Sequence, residues 1–119
     1  MQITADFEIT EWDEQPDLTW VRKRFSGGME GTSVARLLTA VSEGGQGYVA
    51  SEEVDATIDG RSGTFVLQHG GIGSADGGVL FQFGMVVPGT ATGDLVGLTG
   101  TARYEHTDAV ARVTLDLAL

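Results

Sequence analysis

The sequence predicts an all-β protein, built as one antiparallel barrel of about eight strands. Segments with the two-residue alternation of half-buried strands recur along the chain. Glycine pairs at 27–28, 44–45, 70–71 and 77–78 separate these segments, as expected at turns. No segment shows a convincing long helical pattern. Because 119 residues is the usual size of one domain, we expect residues 1–119 to form a single core.

The first and last segments show the alternation most clearly. Each has apolar residues on one face and mostly polar residues on the other: Ile3, Ala5, Phe7 and Ile9 in the first, and Ala111, Val113, Leu115 and Leu117 in the last. Further strands are predicted near residues 18–28, 32–42, 46–58, 62–70, 78–87 and 99–107. Residues 33–41 also match the helical template, but the stretch is short and lies between Gly31 and Gly44, which favours a strand.

About eight sequential strands must protect their outer edges. Closing the sheet into a barrel removes those edges. An eight-stranded barrel has an interior just wide enough for packed side chains or for one small ligand. The lumen is therefore where we expect a functional site.

Composition argues against several classes of function. The 17 acidic and 7 basic residues give a net charge of -10, which disfavours nucleic acids and anionic membranes as partners. The chain has no cysteine, so disulfides and thiolate metal sites are excluded. The start resembles no secretory signal and no apolar run reaches membrane-spanning length, so we expect a soluble cytoplasmic protein.

Cofactor and metal motifs are also missing from the pattern. The two histidines, His69 and His106, are far apart in the sequence, and we expect no metal site. No phosphate-binding or dinucleotide-binding glycine motif occurs between a strand and a helix. The segment around Ser62 lacks the nucleophile elbow of α/β-hydrolases. We therefore expect no cofactor.

Strand alternation predicts which side chains point into the lumen. His69 shares a face with Phe65 and Leu67, whereas its neighbour Gln68 must face outward. The polar residues in phase with apolar ones on their strands are Lys23, Tyr48, Glu52, His69 and Tyr104. The apolar lining is predicted to include Phe65, Leu67, Phe81 and Phe83. A mainly apolar lumen with a few polar groups is typical of a small-molecule pocket.

Each polar residue has a structural interpretation beside the functional one. Glu52 and Lys23 either neutralise each other, since a buried charge is tolerated chiefly when it is paired, or belong to a site. His69 is either a rim residue bonded to backbone or an imidazole that exchanges protons near neutral pH. Tyr48 and Tyr104 are either packing residues with a bonded hydroxyl or ligand contacts.

Two stretches carry a family resemblance: "GRSGTFVLQHGG" at 60–71 and "VVPGTATGDLVGLTG" at 86–100. They resemble the bacterial domain-of-unknown-function 3224 family, which is similar to the allene oxide cyclase barrel. "FEITEWDEQP" and "YVASEEVDATIDG" extend the likeness over nearly the whole chain. The resemblance implies an allene oxide cyclase-like barrel, related to the calycin and lipocalin type. It implies no activity, because the family has no agreed one.

Two functional classes follow from these patterns. The first is a cofactor-free isomerase or cyclase that holds a lipophilic small molecule in the lumen. Glu52 would be the base or electrostatic group, His69 the proton donor or acceptor, and Lys23 the charge partner of Glu52. The ligand contacts would be Tyr48, Phe65, Leu67, Phe81, Phe83 and Tyr104.

The second class is a non-catalytic ligand carrier or an oligomeric interaction module. In this class the same polar groups are structural. Apolar residues predicted on the outer face favour a homo-oligomer under either class, because a monomer would leave them in water. These residues are Trp12, Trp20, Val66, Leu80 and Val86.

Overall fold

Eight antiparallel strands form a closed barrel in the computed structural model, which describes residues 1–119. Each strand pairs with its neighbours in sequence, and the last strand closes the ring on the first. The strands are β1 (Gln2–Glu14), β2 (Thr19–Gly27), β3 (Glu30–Ser42), β4 (Gly45–Ile58), β5 (Arg61–Ser74), β6 (Val79–Val86), β7 (Thr99–His106) and β8 (Ala111–Ala118). The predicted fold class is confirmed, and residues 33–41 lie within β3 as a strand.

The barrel interior is packed solid at one end. Sixteen buried apolar residues form one cluster there, including Phe25, Phe65 and Leu67. The segment between β6 and β7 contains the only helical turn, Gly93–Leu95, which is far too short to span a membrane. Leu95 from this turn is 1% exposed and belongs to the cluster.

The opposite end is open because the strands differ in length. β1, β3, β4 and β5 have 13 or 14 residues. β2 has 9, and β6, β7 and β8 have 8 each. The long strands extend past the short ones, so the wall is uneven at this end and the lumen widens into a pocket.

The seam between β6 and β7 is the most weakly paired in the barrel. Met85 and Thr101 are the single residue pair in register there. Every other seam has between five and fourteen such pairs. This seam runs beside the open half of the lumen.

The glycine pair at 70–71 does not end its strand, contrary to the pattern-based boundary. β5 continues to Ser74. A Cβ on Gly70 would lie 2.7 Å from both the Phe83 ring and the Tyr48 carbonyl oxygen. Glycine is therefore required here by the close approach of the neighbouring strands, and not by a turn.

The predicted inward face of β6 is wrong. Cross-strand partners share a face, and the inward residues Leu67 and His69 of β5 pair with Val86 and Gly84 of β6. Val86, expected outside, is fully buried. The alternate residues Val79, Phe81, Phe83 and Met85 are between 45% and 69% exposed. The apolar pattern predicted the wrong inner face because the outer face of β6 is the more apolar one. The inner face carries Gln82 and Gly84 before the buried Val86.

Candidate functional site

The open half of the barrel holds a pocket of about 500 Å³, a volume typical of small-molecule sites. Its apolar wall includes Phe7, Trp12, Leu37, Val41 and Phe81. Its polar wall includes Lys23 together with both tyrosines and both histidines of the chain. No aspartate or glutamate lines it, although the chain has 17 acidic residues. The pocket therefore differs sharply in charge from the rest of the protein.

Glu52 lies below the floor of this pocket, with no exposed surface. Its Oε1 accepts hydrogen bonds from Tyr104 Oη at 2.8 Å and from Lys23 Nζ at 3.2 Å. His69 Nε2 lies 2.8 Å from the same oxygen. Ser33 Oγ donates to Oε2. The carboxylate is thus fully bonded, and no buried side-chain polar atom of the protein lacks a partner.

Strand register brings these groups together. Tyr48 and Glu52 are four residues apart on β4, so alternation points both inward. His69 on β5 stands opposite Ala50, midway between them. Its Nδ1 lies 2.9 Å from Tyr48 Oη, while its Nε2 faces Glu52. The small residues Ala50 and Gly84 on either side of His69 leave room for its ring.

The charge state of Glu52 is set by these neighbours. Burial acts to raise the pKa of Glu52, but the hydrogen bond from His69, the charges of Lys23 and His69 and the hydrogen bond from Ser33 lower it to about 2. Glu52 is therefore an ionised carboxylate at neutral pH. Burial and the negative charge of Glu52 raise the pKa of both Tyr48 and Tyr104, so both hydroxyls stay protonated.

The ionised state of Glu52 fixes the direction of the hydrogen bonds that reach it. An ionised carboxylate can only accept, so His69 Nε2 donates to Glu52. When the His69 ring is neutral, its Nδ1 can only accept, and Tyr48 Oη then donates to it. The result is a relay from Tyr48 through His69 to Glu52. Tyr48 is its half-buried outer member and contacts the pocket.

Aromatic packing holds the relay in place. The Tyr104 ring stacks on the His69 ring with centroids 4.2 Å apart, and the Tyr48 ring meets it edge-on at 5.5 Å. Lys23 Nζ lies 4.9 Å from the centroid of Phe7 and 4.6 Å from that of Tyr104. The ammonium therefore has a carboxylate on one side and two ring faces around it, both favourable for a buried cation.

The predicted site residues separate into two groups. Lys23, Tyr48, Glu52, His69 and Tyr104 form one contiguous cluster. The Glu52–Lys23 pairing is present, and Gln68 faces outward as predicted.

The apolar residues predicted to contact a ligand are scattered. Phe65 and Leu67 are 1% and 0% exposed in the solid core, away from the pocket wall. Phe83 lies on the outer surface over Gly70. Phe81 reaches the rim of the pocket, because the pairing of β5 and β6 shifts between Ile72 and Gly73.

Sequence reasoning missed three contributors. Ser33 shares a face with the buried Ala35, and this alternation was a readable signal. His106 lines the pocket, where its ring packs edge-on against Phe7. Trp12, expected only as an outer residue, also lines it. The bulge after Ile9 alters the phase of β1, so simple alternation does not predict which way Trp12 points.

Comparison with known proteins identifies a family without an assigned activity. A search of curated proteins gave no match. A similar solved structure is the crystal structure of a protein with unknown function from the DUF3224 family of Shewanella oneidensis MR-1. It is 28% identical, with a TM-score of 0.83, over 99% of this chain and 96% of that one. The family model for proteins of unknown function DUF3224 matches residues 3–117. The chain therefore belongs to the DUF3224 family.

Proposed function

We propose that the protein is a cofactor-independent isomerase or cyclase that acts on a lipophilic small molecule in the open half of the barrel. The observation that carries this proposal is the Tyr48–His69–Glu52 relay, whose outer residue, Tyr48, lines the pocket while its inner end is a buried carboxylate. The apolar side chains towards the mouth, such as Trp12 and Val41, suit a lipophilic body.

The relay supports general acid–base chemistry without a cofactor. A proton leaves a C–H or O–H bond of the ligand and bonds to Tyr48 Oη. The proton of Tyr48 passes to Nδ1 of His69, and the imidazolium formed is stabilised by Glu52 beside its Nε2. Return of a proton from Tyr48 to a different atom of the ligand, with the His69 proton passing back to Tyr48, regenerates the neutral imidazole and completes an isomerisation.

The residues have distinct roles in this scheme. Tyr48 is the catalytic residue, because it alone of the relay is half-exposed on the pocket wall. Glu52 is an electrostatic group and not the base that meets the ligand, since no part of it is exposed. Lys23 balances the charge of Glu52, and Tyr104 fixes the plane of the His69 ring.

A non-catalytic ligand carrier is the second candidate function. The completeness of the hydrogen bonding favours it: every buried polar side-chain atom has a partner, as expected if Glu52 and Lys23 only neutralise each other. The pocket would then bind and release its ligand unchanged.

Solvent-proton exchange separates the two candidates. Ligand extracted from freshly purified protein is identified by mass spectrometry and incubated with the protein in D₂O. An isomerase incorporates deuterium into the ligand, and Tyr48→Phe lowers that rate by about 10²–10⁴-fold. Gln68→Ala is the matched control, because it lies next to His69 but on the outer surface. Tight binding with no incorporation by the native protein would favour the carrier.

A further inference from the structure

The outer surface of β3 to β6 carries a continuous apolar patch. Cross-strand pairing aligns Leu38, Val49, Gly70 and Phe83 in one row across the four strands. The row above adds Ile72 and Phe81, and the row below ends at Met85. We call these six large side chains the outer apolar face: Leu38, Val49, Ile72, Phe81, Phe83 and Met85. Each is between 45% and 59% exposed.

This face is nearly free of charge in a strongly acidic protein. The chain carries 17 acidic residues and a net charge of -10. None of the 17 lies in the three rows, whose one charged residue is Arg36. Two copies that meet through this face bring no carboxylates together, so the net charge of the chain opposes this contact little.

The extent of the face also suits a second copy. Gly47 and Gly70 lie between these side chains, and the Phe83 ring lies over Gly70. Six large side chains at about half exposure present roughly 600 Å². This approaches the roughly 800 Å² per partner of a standard interface.

We propose that two copies of this chain associate through the outer apolar face about a two-fold axis, which brings each patch against an identical one. The face is continuous with the rim of the pocket, because Ile72 and Phe81 belong to both. A second copy therefore lies beside the mouth of each pocket. This proposal is independent of any catalytic activity.

Sedimentation equilibrium over a wide concentration range tests the proposal. The native protein is expected to show twice the chain mass of 12.5 kDa. Val49→Glu places like charges in the centre of the interface and is expected to shift the equilibrium to monomer. Val96→Glu is the matched control: Val96 is 66% exposed but lies in the segment between β6 and β7, outside the face. It should leave the dimer intact.

Folding of each variant is checked by circular dichroism and thermal unfolding. If Val49→Glu does not fold, Leu38→Glu on the neighbouring strand tests the same row. A native protein that stays monomeric at all concentrations would overturn the proposal, as would an oligomer that both variants leave unchanged. The proposal would also be overturned if the native protein is a monomer that binds an apolar dye and Val49→Glu abolishes that binding. The face would then bind a different partner.

Discussion

Replacement of Glu52 by glutamine tests the electrostatics of the lumen most directly. The change keeps the size of the side chain but removes its charge. Lys23, only 7% exposed, then has no counter-ion. His69, Ser33 and Tyr104 all direct hydrogen-bond donors at this group. The NH₂ group of the glutamine is itself a donor and replaces one acceptor oxygen, so at least one of the surrounding donors is left without an acceptor.

The size of the effect follows from the lowered pKa of Glu52 and from the cost of leaving a buried charge unpaired. The pKa of Glu52 falls from its ordinary value of 4.5 to about 2. At about 1.4 kcal/mol for each pKa unit, this corresponds to about 3 kcal/mol of folding stability at neutral pH. Removing one partner of a buried ion pair typically costs about 3–5 kcal/mol. The expected loss of folding free energy is a large fraction of the stability of a small domain.

The pH dependence follows from the lowered pKa. A carboxyl group whose pKa is lower in the folded protein contributes its full stabilisation above its unfolded pKa of 4.5. That contribution is lost as the pH falls from 4.5 towards about 2. The native protein and Glu52→Gln should therefore differ most at neutral pH and converge in acid.

Urea unfolding followed by tryptophan fluorescence, at neutral pH and in steps down to about pH 2, measures this difference. Glu53→Gln is the control, because it is the same substitution at the next residue, on the exposed face of β4. It should change stability by less than about 0.5 kcal/mol. Equal stabilities of Glu52→Gln and the native protein at neutral pH would refute the reasoning, and so would a difference that persists unchanged in acid.

Three further predictions concern the same half of the barrel. Both tyrosines of the chain lie in the site and have a raised pKa, so tyrosinate absorbance of the folded protein should appear only above the ordinary value of 10.0. Titration of the folded protein at that ordinary value would contradict this. Gly70→Ala should destabilise the protein by roughly 1–3 kcal/mol in urea unfolding, because its Cβ would lie 2.7 Å from a backbone oxygen. Gly44→Ala is the control and should be close to neutral, because the nearest atom to its Cβ would be 3.9 Å away. Equal effects of the two variants would show that the close approach is unimportant. The double variant Lys23→Met/Glu52→Gln should lose less stability than the sum of the two single variants, because each single change leaves the other charged or polar group unpaired; additive losses in a double-mutant cycle would exclude coupling.

Much of the fold could be predicted from alternation alone. β4, β8 and the part of β1 before its bulge each have one apolar face, so the inward phase is unambiguous there, and the inward positions of Tyr48 and Glu52 on β4 were predicted correctly. His69 could be placed because Phe65 and Leu67 share its face. The cluster was predictable because a polar residue on the same face of a strand as buried apolar residues must also point into the lumen.

β6 could not be predicted in the same way. Its outer residues, such as Phe83, are larger and more apolar than its inner ones, Gln82 and Gly84. Hydrophobicity identifies the inner face of a strand only when the outer face is polar and exposed to solvent. When the outer face is also apolar, the two faces no longer differ in hydrophobicity. The end of β5 was missed for a related reason, because a glycine required by a close cross-strand contact looks the same in sequence as a glycine required by a turn.

The single register pair between β6 and β7 has a dynamic consequence for the site. Local opening of a protein begins where the fewest hydrogen bonds must break. Amide hydrogens along this seam should therefore exchange with solvent sooner than those of the β4–β5 seam, which has fourteen register pairs. Tyr104 lies on β7 and its ring stacks on His69, so separation of the seam would move one side of the relay while the packed core stays closed. The barrel thus joins a packed half to a wall beside the pocket that can open locally without global unfolding.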